Sequence, residues 1–147
     1  MHDHIIARLS GVILKQAWGE TSYFYNPGEA LKRGTYFATI KEKDGDNDRG
    51  SNLNREGIWR LNIGVQKSTY VSMFGDTPQR PGKGATIEGP WDFAQPDMIM
   101  PHPVYAWMGW VAVLSPTEAT WQDCIALIAD AHERAQKTFE KRTRRSI

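Results

Sequence analysis

Cysteine is almost absent from this chain. Cys124 is the single one in 147 residues, so no intrachain disulfide can form, and such usage suits a reducing compartment. An excess of one charge sign is absent too. Eighteen basic residues face 17 acidic ones, a formal net charge of +1, which leaves no global attraction to nucleic acid or to an anionic membrane surface. No uninterrupted apolar run approaches the ~20 residues that span a bilayer. Residues 1–9 lack the basic-then-apolar order of a signal peptide, so a cytoplasmic location, with no membrane partner, is the expectation. Histidine is scarce. The four stand at positions 2, 4, 102 and 132, and no triad of metal ligands emerges from that spacing; neither a metal nor a cofactor is expected. A serine nucleophile elbow is missing, and Gly82-Lys83-Gly84 lacks the spacing and the Ser/Thr of a phosphate-binding loop.

Aromatic residues, by contrast, are plentiful, with six Trp, five Tyr and five Phe. Such side chains bury much area and often line pockets. The length suits one domain over residues 1–147. Ile5, Ile6 and Leu9 fit one face of a short helix over residues 2–9. Residues 12–18 and 21–25 predict a β-hairpin turning at Gly19-Glu20, and residues 36–41 a third strand. Residues 43–57 are the most polar stretch and must be a loop, longer than a plain turn. Residues 58–65 alternate strictly: Trp59, Leu61, Ile63 and Val65 point one way, Arg60 and Asn62 the other. Residues 67–74 make two helical turns ended by Gly75, and residues 76–96 hold four of the eight Pro, which favours a surface loop.

Residues 98–114 form the longest apolar run, with two of the six Trp and three of the five Met. They predict a central strand entered through a rigid Pro101-His102-Pro103 corner. Ser115, Pro116 and Glu118 then match a capping box. Trp121, Cys124, Ile125, Ile128, His132, Ala135 and Phe139 follow at three- and four-residue steps, one apolar helix face. The basic tail, residues 141–147, should fray. Strands that run consecutively imply an α+β fold: an antiparallel sheet of about five strands with helices packed on one face. The long helix would cover the apolar face, and the Arg60/Asn62 face would stay wetter.

Phe37 to Lys41, Ser51 to Val65, Tyr70 to Gly75 and Met100 to Val111 together resemble, in order and over nearly the whole chain, a bacterial family of small proteins of unknown function. That family in turn is similar to the MmcQ/YjbR-like proteins, whose double-wing fold is an antiparallel sheet backed by helices. The resemblance implies that fold and a DNA-binding label that rests on fold analogy. It carries over no catalytic residue, and fold likeness does not supply a function. The chain departs from the pattern at its start, where the first helix is short.

Asp44, Asp46 and Asp48 match the opening of an EF-hand loop, but Arg49 and Arg55 stand where its Gly and bidentate Glu belong. If residues 58–65 and 98–114 are neighbours, Arg60, Asn62, His102 and Tyr105 can meet the loop residues Asp48, Arg49 and Arg55 around one pocket. An Arg with an Asn and a His suits a small carboxylate or phosphate. The plainer alternative has His102 bonding the backbone at a tight corner and Arg60 pairing with a loop aspartate. The leading expectation is a non-enzymatic module that binds a small anionic ligand or a protein partner. Weak DNA binding through Lys137, Lys141, Arg142, Arg144 and Arg145 is the first alternative, and an enzyme with His102 as general base the second.

Overall fold

The structure, a computed structural model, describes residues 9–17 and 19–145. The helix expected over residues 2–9 lies, apart from Leu9, outside them. Six strands and two α-helices organise the rest: β1 (Val12–Ala17), β2 (Glu20–Tyr25), β3 (Thr35–Lys41), β4 (Arg60–Gly64), α1 (Lys67–Phe74), β5 (Met100–Pro101), β6 (Trp110–Leu114) and α2 (Glu118–Arg145). The strands form one sheet in the order β1-β2-β3-β4-β6-β5, and every pairing is antiparallel. The α+β architecture with helices on one face is as expected; the sheet has six strands instead of about five.

Alternation decides which face each strand buries. Tyr23, Ala38, Leu61, Ile63, Val111 and Val113 point to one side and are fully buried there. Helix α2 lies across β2, β3 and β4 on that side. It presents Cys124, Ile128, Ala131 and Ala135, the expected apolar stripe. His132 joins them, its ring edge-on to Tyr25 and Phe37 at 5.1 and 5.5 Å. Helix α1 has no side-chain cap of its own. Asp130 of α2 supplies one, accepting from Gln66 N at 2.8 Å and Thr69 Oγ1 at 2.7 Å, which ties the two helices together.

One irregularity sets the opposite face. Tyr23 pairs with Ala38, but Phe24 pairs with Tyr36, so Phe37 is the extra residue of a bulge. Phe37 and Ala38 both bury toward α2, while Tyr36 and Thr39 both reach the other face. On that open face Tyr36 lies between Phe24 and Trp110, with ring centroids 5.9 and 5.2 Å away. Trp110 pairs with Gly64 across β4–β6. A Cβ on Gly64 would sit 2.7 Å from the Trp110 indole, so the missing side chain is what lets the ring lie over β4.

Three expectations need correction. Residues 98–114 are not one central strand. Met100–Pro101 is an edge strand, the chain reverses through residues 102–109, and Trp110–Leu114 returns beside it. Ala106–Met108 makes a 3-10 turn that Gly109 ends in the left-handed conformation at φ +88°, and Tyr105 belongs to this reversal, not to a strand. Ser115 does not cap α2. Its hydroxyl accepts from Trp59 N at 3.3 Å and donates to Gly57 O at 3.1 Å, and the helix begins at Glu118, with Thr117 held by Asp97. The basic stretch is helical through Arg145, because Arg142 donates to Thr35 Oγ1 and Arg33 O.

Gly64→Ala should cost about 1–3 kcal/mol in urea unfolding, the usual range for overpacking. Gly82→Ala, where a Cβ meets nothing within 4 Å, should stay within about 0.5 kcal/mol. Equal effects at the two positions would remove the role given to Gly64.

Candidate functional site

The site is built around a buried cation. Arg60 opens β4 on the open face and is 1% exposed. A buried guanidinium needs acceptors for its five N–H groups, and its own strand and the polar loop supply four of the bonds. Nε donates to Asn62 Oδ1 at 2.7 Å, two residues along the same strand face. Nη1 donates to Asp48 Oδ1 and Ser51 Oγ, both at 2.9 Å. Nη2 donates to the second oxygen, Asp48 Oδ2, so the pair is bidentate. Asn62 Nδ2 passes the network on to Thr39 Oγ1 of β3 at 2.9 Å.

The long polar loop is therefore an ordered part of the site. Asp44 accepts Leu53 N at 2.8 Å and donates its own N–H to Asn54. Leu53 is buried in the interior. Arg55 clamps the loop to Asn52 O, Ser51 O and Ala94 O. These bonds hold Asp48 and Ser51 over Arg60. Of the acids that mimic a calcium loop, Asp44 thus caps the loop and Asp48 partners Arg60. Among the described residues no three His, Cys, Asp or Glu come together as a metal site.

His102 lies on the other side of the guanidinium, 2% exposed. Its Nδ1 accepts the backbone N–H groups of Val104 and Tyr105, each at 3.0 Å. The imidazole thereby caps the reversal between β5 and β6, replacing ladder bonds lost at the turn. Its Nε2 stands 3.3 Å from Arg60 Nη2. Burial, and then the Arg60 charge, push His102 well below its usual 6.5, against a smaller pull from Asp48. Burial acts to raise the Asp48 carboxyl, but the hydrogen bonds and charge of Arg60 outweigh it and hold it below 3.8.

Above this network lies a cavity of 420 Å³, within the range of small-molecule sites. Thr39, Asn62, Asp48 and His102 form its floor, and Phe24, Tyr36, Tyr105 and Trp110 its aromatic lining. Lys15, Glu20, Arg33 and Lys41 stand around it. Of the residues expected at a site, Asp48, Asn62, His102 and Tyr105 line the cavity. Arg60 lies beneath it, held by Asn62, Asp48 and Ser51. Arg49 and Arg55 are not part of its lining. Tyr36 and Trp110 carried no sequence signal for this place, because a bulge and a glycine put them there. Lys15 and Phe24 could have been found, since both follow from alternation in the first hairpin. Cys124 is a buried thiol: burial, then Asp123 and Asp97, push it up to about 11.

The family of unknown function DUF6194 matches residues 1–144, and the chain belongs to it. Comparison with curated proteins and with solved structures returns no match. Among the described residues no helix is long and apolar enough to cross a membrane.

Asp48→Ala strands a buried guanidinium and should cost about 3–5 kcal/mol. The double variant Asp48→Ala/Arg60→Met should be more stable than Asp48→Ala alone; simple additivity in a double-mutant cycle would contradict this coupling. A second expectation concerns pH. His102 binds its proton less readily in the folded chain, so its contribution is complete above the unfolded value of 6.5 and declines as pH falls below it. The loss should reach up to about 1.4 kcal/mol per pH unit. The Asp48 window lies below 3.8, outside the pH 7.5–5.5 interval that reads His102. His102→Asn, whose Oδ1 can take the Nδ1 position, should remove this slope between pH 7.5 and 5.5. An unchanged slope in the variant would assign it elsewhere.

Proposed function

We propose that this DUF6194 chain is a non-enzymatic binding module that holds a small organic anion in the cavity on the open face of its sheet. The observation that carries the reading is the balance of charge around an aromatic lining. Asp48 is matched by Arg60, and Glu20 by Lys41 at 3.5 Å. Lys15 and Arg33 remain, and among the described residues neither has an acid within ion-pair distance. Lys15 stands 5.4 Å from the centre of the Phe24 ring, a cation held beside an apolar surface. Such a surface binds a ligand with a flat apolar body and a negative group.

General-base catalysis by His102 fits this geometry poorly. The Nδ1 lone pair already takes two backbone N–H groups, and a neutral ring has only that one lone pair to offer. The distant kinship with the MmcQ/YjbR-like proteins belongs to the same proposal, supported by the antiparallel sheet backed by one long helix. Nothing in the cavity requires nucleic acid, and the cation Arg142 of the expected DNA-contacting tail is engaged with the β3 end of the sheet.

Calorimetric titration with a panel of aromatic carboxylates and organic phosphates tests the reading. At least one should bind, with affinity that falls as salt rises. The double variant Lys15→Met/Arg33→Met should weaken it about tenfold, a loss of ~1.4 kcal/mol. Absence of binding by every anion, or affinity indifferent to both salt and these cations, would end it.

A further inference from the structure

The directions of the hydrogen bonds at the cavity floor say what kind of atom belongs there. His102 Nδ1 accepts from Val104 N and Tyr105 N. A neutral imidazole carries one hydrogen and one in-plane lone pair, so the hydrogen is on Nε2. Arg60 Nη2 can only donate. The 3.3 Å approach of Nε2 to Nη2 therefore joins two donors, and neither satisfies the other. The opposite tautomer is worse, because an Nδ1 hydrogen would meet two backbone N–H groups at once.

A second chain ends the same way. Asn62 Oδ1 receives Arg60 Nε, which orients the amide, so Nδ2 must be the atom that donates to Thr39 Oγ1. The Thr39 hydroxyl accepts there, and its own hydrogen goes to no acceptor among the described residues. Both His102 and Thr39 line the cavity, and both are at least nine-tenths buried. Asp48 is the acceptor nearby, but its oxygens take Arg60 from below, and it receives no hydrogen bond from either. Leaving such buried donors unmade is costly, and an acceptor-only group would complete both.

We propose that the floor is the head-group site for the carboxylate of a flat organic acid, bound by His102 Nε2–H and Thr39 Oγ1–H, with its body against Tyr36 and Trp110. The inference rests on the anion-binding reading and deepens it. The charge of Lys15 and Arg33 draws an anion in, while the two floor donors select an oxygen that only accepts. A flat body is favoured because Phe24, Tyr36 and Trp110 form a continuous aromatic strip, with Tyr36 and Trp110 inclined by only 35°.

Two measurements test it. The first needs no ligand. Long-range ¹⁵N–¹H correlation spectra of the full chain should show His102 as the Nε2–H tautomer at neutral pH, and an Nδ1–H pattern overturns the donor assignment. The second compares 2-naphthoate with its neutral analogue 2-naphthylmethanol. His102→Asn keeps an acceptor for Val104 and Tyr105 but removes the Nε2 donor, and Thr39→Val removes the hydroxyl. Each should weaken 2-naphthoate at least tenfold and the alcohol less than twofold, and Thr39→Ser should restore binding. Equal losses for acid and alcohol, or no loss, overturn the head-group site. If anions bind in a manner that depends on Lys15 and Arg33 yet ignores His102 and Thr39, this inference alone fails. If no anion binds the unaltered chain, it fails together with the reading on which it rests.

Discussion

A guanidinium at 1% exposure dictates much of the open face of this sheet. Desolvating a charge of that kind costs several kcal/mol unless its donors are met, and no single element can meet five of them. Arg60 therefore recruits Asn62 from its own strand and Asp48 and Ser51 from the polar loop. The loop, in turn, must be ordered to deliver them, which explains its internal caps and the Arg55 clamp. His102 completes the surround while holding the reversal between β5 and β6. Loop, strand and turn are thus coupled through one side chain.

The same constraint shapes the cavity. A network that consumes its acceptors internally leaves donors at its outer boundary. The aromatic strip beside it depends on two local features, the Phe37 bulge and the bare Cα of Gly64. The bulge turns Tyr36 outward without disturbing the register of β3 with β4, and Gly64 leaves room for Trp110. Polar floor, aromatic lining and the cations Lys15 and Arg33, which have no acid partner among the described residues, are what the proposed small organic anion rests on.

Much of the fold was legible from periodicity. The strands that became β1 to β4, the two helical turns at residues 67–74 and the apolar stripe of α2 were placed from alternation and three-to-four spacing. The failures share a cause. In residues 98–114 an apolar run looks the same whether it crosses the sheet once or folds back on itself, and the His102 cap that makes the reversal is a side-chain bond with no sequence period. Ser115 has the residue type of a helix cap, but its hydroxyl bonds Trp59 and Gly57, 56 and 58 residues away.

Of the site, residue type and strand phase already put Arg60 and Asn62 together on the face opposite the helices, though both are buried there and not wet as expected, and the pairing of Arg60 with a loop aspartate was one of two open alternatives. Strand phase is local, set by backbone geometry every second residue. The choice of Asp48 over its neighbours, the separation of Arg49 and Arg55 from the cavity, and the arrival of Tyr36 and Trp110 around it are not local. They follow from strand order, a one-residue bulge and a space that only glycine leaves, all of which come into being when the sheet assembles.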